Sequence, residues 1–180
     1  QSDASNFTAT DSLYFLSGTV GNLGVVDTPA TTVTSEMITL TENGKSLIFS
    51  AAALNAASTS GKIAFLGSED TVSFGLDAGG ETLLAVGTAG HGAAYYGFGG
   101  NDSITGGVAN DTIFGGEGDD VITGRSSTTD SSGNFTESDY LQGGNGADTV
   151  VGGLGNDHIY GNLATTTQGS ADGADSIDAS

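Results

Sequence analysis

Gly143 to Tyr160 reads GGNGADTVV followed without a gap by GGLGNDHIY, one nine-residue pattern given twice: Gly-Gly-x-Gly-x-Asp-x-apolar-x. Gly115 to Thr123, GGEGDDVIT, is a third full match. Moving outward at the same spacing, aspartate fills the sixth position at Asp102, Asp111 and Asp120, then at Asp139, Asp148 and Asp157, with a last match at Asp175. The eighth position is held by Ile104, Ile113, Ile122, Leu141, Val150, Ile159 and Ile177, every one aliphatic. Random placement would not keep that column apolar. The competing reading, an acidic solvated tail, predicts no such register.

The residue types follow from the pattern. Asp-x-apolar-x is a short strand whose apolar side chain points inward and whose neighbours point out. Gly-Gly-x-Gly-x-Asp is the turn, with glycine where positive φ or a close backbone approach excludes a Cβ. Two strands and two turns make one coil, so turns stack at the spacing of Asp102 and Asp120, 18 residues. That sorts the aspartates into two columns: Asp102, Asp120 and Asp148 in one, and Asp111, Asp139, Asp157 and Asp175 in the other. Nonapeptides of this form are known as the repeat of calcium-binding parallel β-helices. Calcium takes roughly 6–8 oxygen ligands at ~2.3–2.6 Å. One tight turn cannot supply them, whereas two turns stacked ~4.8 Å apart can. The candidate metal ligands are therefore these seven aspartates, with turn backbone at Gly97, Gly99, Gly106, Gly115, Gly118, Gly143, Gly146, Gly152, Gly155 and Gly173. Several calcium ions are expected, between Asp102/Asp120, Asp139/Asp157 and Asp157/Asp175. Asp120/Asp148 and Asp111/Asp139 follow if the insertion between them loops out without breaking the stack.

That insertion, Arg125 to Ser138, is polar and lacks the repeat; Asp130 within it reads as a solvated loop acid rather than a ligand. Asn162 to Gly169 reads as replacing one repeat at constant length, with Thr166 where an aspartate would fall. Ala109 and Glu137 stand where the third glycine is expected.

On these residues, the stretch 97–178 resembles the RTX (repeats-in-toxin) calcium-binding β-roll of proteins secreted by bacterial type I systems. The resemblance implies a roll that folds on meeting extracellular calcium. It does not reach residues 1–90. Family members commonly carry a cap and a secretion signal after the repeats, whereas Ser180 follows Ile177 by three residues.

Composition sets the outer bounds. The chain has 22 acidic against 3 basic residues, a formal charge of −19. Such a field repels nucleic acid and anionic membranes and attracts cations. Cysteine is absent, which removes disulfides and thiolate metal sites. No apolar run approaches the roughly 18 residues of a membrane helix. The chain opens on Gln1 without a basic-then-apolar leader, which reads as a processed form or an excised piece. From Gly97 onward it holds 19 of its 31 glycines and 13 of its 22 acids. We therefore place a boundary there: 1–96 as a β-rich segment, read as an assembly or edge-strand module, and 97–180 as the roll, with its insertion at 125–138.

Within the first segment, Leu13 to Val20, Thr31 to Thr41, Ile63 to Leu66, Thr71 to Leu76 and Thr82 to Val86 read as strands, and Glu42-Asn43-Gly44-Lys45 as a hairpin turn. Asp27-Thr28-Pro29 reads as a turn. Ser46 to Ser58 is open between strand and short helix. The segment is either a sandwich or a continuing solenoid. The fold class is thus all-β: a right-handed parallel β-roll with calcium in its turns, preceded by an irregular β segment.

No His-x-x-x-His pair and no Gly-x-Ser-x-Gly elbow occurs, so this chain is not expected to be an enzyme. His91 and His158 read as surface residues, and Asp119 as a solvated neighbour of Asp120. Tyr95, Tyr96 and Phe98 read as a cover for the first coil in preference to a ligand patch. The expected function is an extracellular calcium-binding structural protein of the bacterial surface (surface-layer, filament or matrix subunit) that self-associates. The alternative is the calcium-folded C-terminal part of a larger secreted hydrolase or adhesin.

Overall fold

A computed structural model describes residues 2–3, 13–15, 23–28, 36–42, 45–59, 63–65, 71–77, 79–84, 91–124, 137–162 and 176–178. In chain order the strands are β1 Ser2–Asp3, β2 Leu13–Phe15, β3 Gly24–Thr28, β4 Met37–Glu42 and β5 Lys45–Ser50, followed by the helix α1 Ala51–Thr59. Then come β6 Ile63–Phe65, β7 Thr71–Phe74, β8 Thr82–Leu84, β9 Ala93–Gly99 and β10 Ser103–Thr105. The remainder are β11 Thr112–Glu117, β12 Val121–Thr123, β13 Tyr140–Asn145, β14 Thr149–Val151, β15 His158–Tyr160 and β16 Ser176–Asp178. No described helix is long and apolar enough to cross a membrane.

From β7 onward the chain alternates between two sheets. Odd strands build one, β15-β13-β11-β9-β7, which β6 and β2 extend beyond β7, and even strands the other, β16-β14-β12-β10-β8. From β7 through β16 every pairing between neighbours is parallel, as successive coils of a roll require. The eighth-position residues fill the space between the sheets. Ile104, Ile113, Ile122, Leu141 and Val150 are at most 1 % exposed, with Ile159 packed against them. In the three-residue strands β10, β12 and β14 the central residue is buried and its leading neighbour exposed, the period of two at work.

The roll begins upstream of the expected boundary at 97. β7 pairs with β9 (Thr71↔Ala93) and β8 with β10 (Thr82↔Ser103), so β7 and β8 already stand in its two sheets, one coil ahead of β9 and β10. Leu83, opposite Ile104, continues the aliphatic column there, Tyr95 takes its place opposite Ile113, and Ala93 joins them in the core. The continuing solenoid is thus the correct alternative for this part. The glycine-rich composition starts one coil later because the first coil turns on different residues.

Ahead of the roll lies a four-stranded sheet, β1-β5-β4-β3. β3, β4 and β5 are antiparallel, and Glu42 faces Lys45 at the hairpin between β4 and β5. Asp27 and Thr28 end strand β3, paired with Ile38 and Met37, where a turn was expected. Ser46 to Ser58 divides: the branched and aromatic part stays in β5, and the alanine run, with its high helix propensity, forms α1. Ala51 and Leu54, three apart on the helix, are buried with Leu23, Ile38, Leu40 and Phe49 against Val72, Phe74 and Ala94 of the roll. Asn55 ties the helix to the roll through a bond from Nδ2 to the Phe74 carbonyl (2.6 Å).

Candidate metal centre

Each repeat aspartate sits immediately before a strand of the roll, so the strand register stacks the aspartates as well. Ser103↔Val121 and Val121↔Thr149 align Asp102, Asp120 and Asp148; Thr112↔Tyr140 and Tyr140↔His158 align Asp111, Asp139 and Asp157. The insertion does not disturb either column. The separation across it is 28 residues in both, ten more than the 18 elsewhere.

One correction concerns the far end. β16 pairs with β14 (Thr149↔Ser176), and the Ser176 amide donates to the Asp148 carbonyl (2.8 Å). The strand after Asp175 therefore continues the Asp148 column, not the Asp157 column, and the expected Asp157/Asp175 pair is withdrawn. The offset from Thr149 to Ser176 is 27 residues, nine beyond the coil length, so the stretch after β15 adds a repeat's length instead of standing in for a strand of this sheet. Asp175, Gly173, Asp130, Thr166 and most of Asn162 to Gly169 lie outside the described residues.

The two carboxylate oxygens of each aspartate do different things. Oδ1 accepts the backbone amide of the residue one coil earlier. Asp102 donates to Asp120 (2.8 Å), Asp120 to Asp148 (2.9 Å), Asp111 to Asp139 (2.8 Å) and Asp139 to Asp157 (2.9 Å). Oδ2 points to the first glycine of its own turn, where a carbonyl from the next coil also arrives. Asp102 Oδ2 and the Gly115 carbonyl flank Gly97, and Asp120 Oδ2 and the Gly143 carbonyl flank Gly115. Asp111 Oδ2 with Gly124 O flank Gly106, Asp139 Oδ2 with Gly152 O flank Gly124, and Asp148 Oδ2 with Gly161 O flank Gly143. A Cβ on any of these glycines would fill the cradle, and this is the physical reason for glycine there. Gly118, Gly146 and Gly155 serve differently, as left-handed turn residues with φ of 120°, 131° and 146°. Gly99 lies against the Asp77 carbonyl.

Asp102, Asp111, Asp120, Asp139 and Asp148 are at most 2 % exposed. Oδ2 of Asp102, Asp120, Asp139 and Asp157 is buried without a hydrogen-bond partner. Asp111 Oδ2 instead accepts the Gly107 amide. From 63 onward the only basic residue is Arg125 in the insertion, so no arginine or lysine of the repeats can neutralise these groups. Burial pushes Asp102, Asp120 and Asp139 up to about 7 and Asp111 up to about 6; the bonds from backbone amides pull the other way, and neighbouring carboxylates add to the rise. A buried, unpaired carboxylate oxygen facing a carbonyl is unfavourable alone. It is a fitting half-shell for a hard cation. The donors are carboxylate and carbonyl oxygens with no sulfur and no imidazole among them, a set that suits calcium over softer metals. Among the described residues no three acidic or histidine side chains converge, so the carbonyls carry much of the donor set.

Several side chains fall outside this machinery. His158 is exposed and His91 half-buried. Asp119 is exposed, yet it belongs to an outer ladder: its amide donates to Asn101 Oδ1 (3.0 Å), and its Oδ1 accepts the Ala147 amide (2.9 Å). Tyr95 and Tyr96 point to opposite faces of β9, so no single patch forms. Tyr95 is wholly buried in the roll, its phenol pushed up by burial first and then by the Asp111 and Asp139 charges. Tyr96 and Phe98 stack on Phe74 (5.7 and 6.3 Å between centroids) and cover the core shared with α1.

Three participants were missed from sequence. Gly124 and Gly161 each supply a cradle carbonyl, and both lie nine residues after a recognised glycine, Gly115 and Gly152, a signal masked by the irregular stretches that follow them. Glu81 precedes β8 as Asp102 precedes β10, and its amide donates to Asp102 Oδ1 (2.7 Å). Residues 96–127 and 135–164, about a third of the chain, match the family model of the RTX calcium-binding nonapeptide repeat in four copies. No curated protein and no solved structure matches the chain.

Proposed function

From the premise that this chain carries RTX calcium-binding repeats on a β-roll, we propose that it is an extracellular structural protein whose roll is completed by calcium held between stacked turns. The pairs Asp102/Asp120 and Asp120/Asp148 hold ions in one column, and Asp111/Asp139 and Asp139/Asp157 in the other. The observation that carries this reading is the buried, unpartnered Oδ2 of Asp102, Asp120 and Asp139, each beside a glycine and a carbonyl of the next coil. Calcium bound there supplies the positive charge that the sequence itself lacks. The chain's own contribution is the scaffold: Oδ1 bonds fix each carboxylate, glycines leave the cradle open, and the aliphatic column holds the coils in register. An ion bound by the folded state alone stabilises it. Inner coils serve ions on both sides, so binding is expected to be cooperative.

Self-association belongs to the same reading. β15 and β16 are the outer strands of the two sheets among the described residues, and Ile177, at an inward position of the repeat, is 50 % exposed. A second copy docking there would cover that residue and pair the open strand edges. A structural role also agrees with a sequence that offers no catalytic constellation.

The test is a calcium titration followed by circular dichroism and calorimetry, on the wild-type chain and on Gly115→Ala, which fills one cradle without removing a carboxylate. Cooperative gain of β-structure and weaker binding in the variant are expected. A wild-type chain equally β-structured in chelator and in calcium sinks the reading. Sedimentation at millimolar calcium tests assembly, and monomers alone at all concentrations refute that part.

A further inference from the structure

The first coil, residues 71–92, lies outside the family match and carries no Gly-Gly-x-Gly-x-Asp signature. Its turn nonetheless repeats the geometry of the matched turns. Gly75 is flanked by Glu81 Oε2 and by the Gly97 carbonyl, as Gly97 is flanked by Asp102 Oδ2 and the Gly115 carbonyl, and Gly115 by Asp120 Oδ2 and the Gly143 carbonyl. The amide of Glu81 donates to Asp102 Oδ1 (2.7 Å), as that of Asp102 does to Asp120 (2.8 Å) and that of Asp120 to Asp148 (2.9 Å). Further along, the Asp77 carbonyl closes on Gly99, the Gly79 carbonyl on Gly100 and the Asn101 carbonyl on Gly80, so the two turns bring several backbone oxygens together.

The substitution of glutamate for aspartate accompanies a longer turn. Six positions separate Gly75 from Glu81, where five separate Gly97 from Asp102, and the β8-to-β10 offset is 21 residues against 18 for β10 to β12. Residue 81 keeps the backbone register of the aspartates, with the Ser103 amide donating to its carbonyl (2.8 Å), and its Oε2 reaches Gly75 across one methylene more. Glu81 Oε2 also accepts the Leu76 amide (3.2 Å), as Asp111 Oδ2 accepts that of Gly107 in a matched turn. Below it Asp102 is 2 % exposed and keeps its Oδ2 buried without a partner.

We propose that the Gly75–Glu81 turn, stacked on the Gly97–Asp102 turn, is a further site for a hard divalent cation of calcium's class, with Glu81 Oε2 and the Gly97 carbonyl among its donors. This rests on the calcium reading of the matched coils and extends it one coil beyond the consensus. The site joins the ion column to the end of the roll that packs on α1 and the four-stranded sheet.

The experiment counts calcium ions per chain by equilibrium dialysis, on the full chain, for wild type, Glu81→Gln, Glu81→Asp and the exposed-turn control Glu117→Gln. Glu81→Gln is expected to bind one ion fewer, with the far-ultraviolet dichroism of the wild type at saturating calcium; the control keeps the full count. Glu81→Asp, one methylene short, keeps the count with its weakest step shifted at least tenfold. An unchanged count and unchanged affinities in Glu81→Gln overturn the proposal. If that variant does not reach the wild-type dichroism, Glu81→Asp decides: a weakened step supports the site, and wild-type affinities throughout overturn it. A wild-type chain that binds no calcium defeats the reading of the matched coils instead, an outcome distinct from a lost or unmoved Glu81 site.

Discussion

The amide of Asp102 donates to Oδ1 of Asp120, one coil further on, at 2.8 Å, while Oδ2 of the same Asp120 lies buried beside Gly115 with no hydrogen-bond partner. One carboxylate thus has two separable jobs. Asp120→Asn keeps an acceptor for the Asp102 amide and removes the charge. We expect it to fold at high calcium with at least tenfold weaker binding at the steps that involve this column. Asp120→Ala also strands a buried amide, which costs about 1–3 kcal/mol more. Calcium titrations and thermal melts of the two variants separate the jobs; equal melts at saturating calcium would show that the Oδ1 bond contributes nothing.

Acid should act in opposite senses with and without calcium. Burial raises Asp102, Asp120 and Asp139 to about 7 from the ordinary carboxylate range. In the metal-free chain a raised carboxylate makes the fold bind protons more tightly than the unfolded chain does. Stability is then greatest below about pH 4, falls as pH rises, and reaches its floor above about pH 7. Calcium binding needs the ionised form. The rise in Tm that saturating calcium gives over chelator should therefore shrink from about pH 8 to about pH 5. A calcium increment independent of pH across that window would mean these carboxylates are not the ligands.

Phe98 has φ of +73° at the repeat's second position, where Gly116 and Gly144 have 122° and 127°. A side chain there strains the backbone by roughly 1–3 kcal/mol. Its ring compensates, lying parallel to Phe74 (interplanar 3°) and near-parallel to Tyr96 (21°). Phe98→Ala keeps the strained conformation and loses the ring, whereas Phe98→Gly loses the ring and is at home at positive φ. The alanine variant should therefore melt lower than the glycine variant. The reverse order would show that strain at this position is negligible.

What the sequence disclosed depended on a fixed period. Ile104, Ile113 and Ile122 announce both the inward face and the register, and the aspartates two residues before them fall into place once a coil is taken as two repeats. Glu81 was illegible because its turn is one residue longer and its carboxylate belongs to another residue type. The partner of Asp175 was misassigned because the stretch after Asn162 has the length of a repeat, and length alone does not tell a repeat from an insertion. The strands of residues 71–96 were legible one by one, but their membership of the roll was not: Tyr95 occupies a position where the pattern uses aliphatic residues, and Ala93 one where it uses aspartate. That membership is set by pairing with β10 and β11, a long-range property with no local signature.

The insertion gives the last test of register. Asp111 to Asp139 and Asp120 to Asp148 are both 28 residues apart, although the first pair lies in one sheet's turns and the second in the other's. The same excess of ten in both columns means that the added length enters once, between β12 and β13, and leaves the stack on either side unchanged. Removing ten residues from within 125–136 restores the 18-residue spacing at both places. A register slip of one residue instead would turn every aliphatic side chain of the following strands outward. The ten-residue deletion should therefore retain the calcium count and the β-sheet dichroism of the full chain. A nine-residue deletion should do the same, because a looped-out segment carries one leftover residue without shifting the strands that follow. Loss of cooperative calcium binding in the nine-residue deletion alone would show that the insertion takes part in the coil and does not leave it.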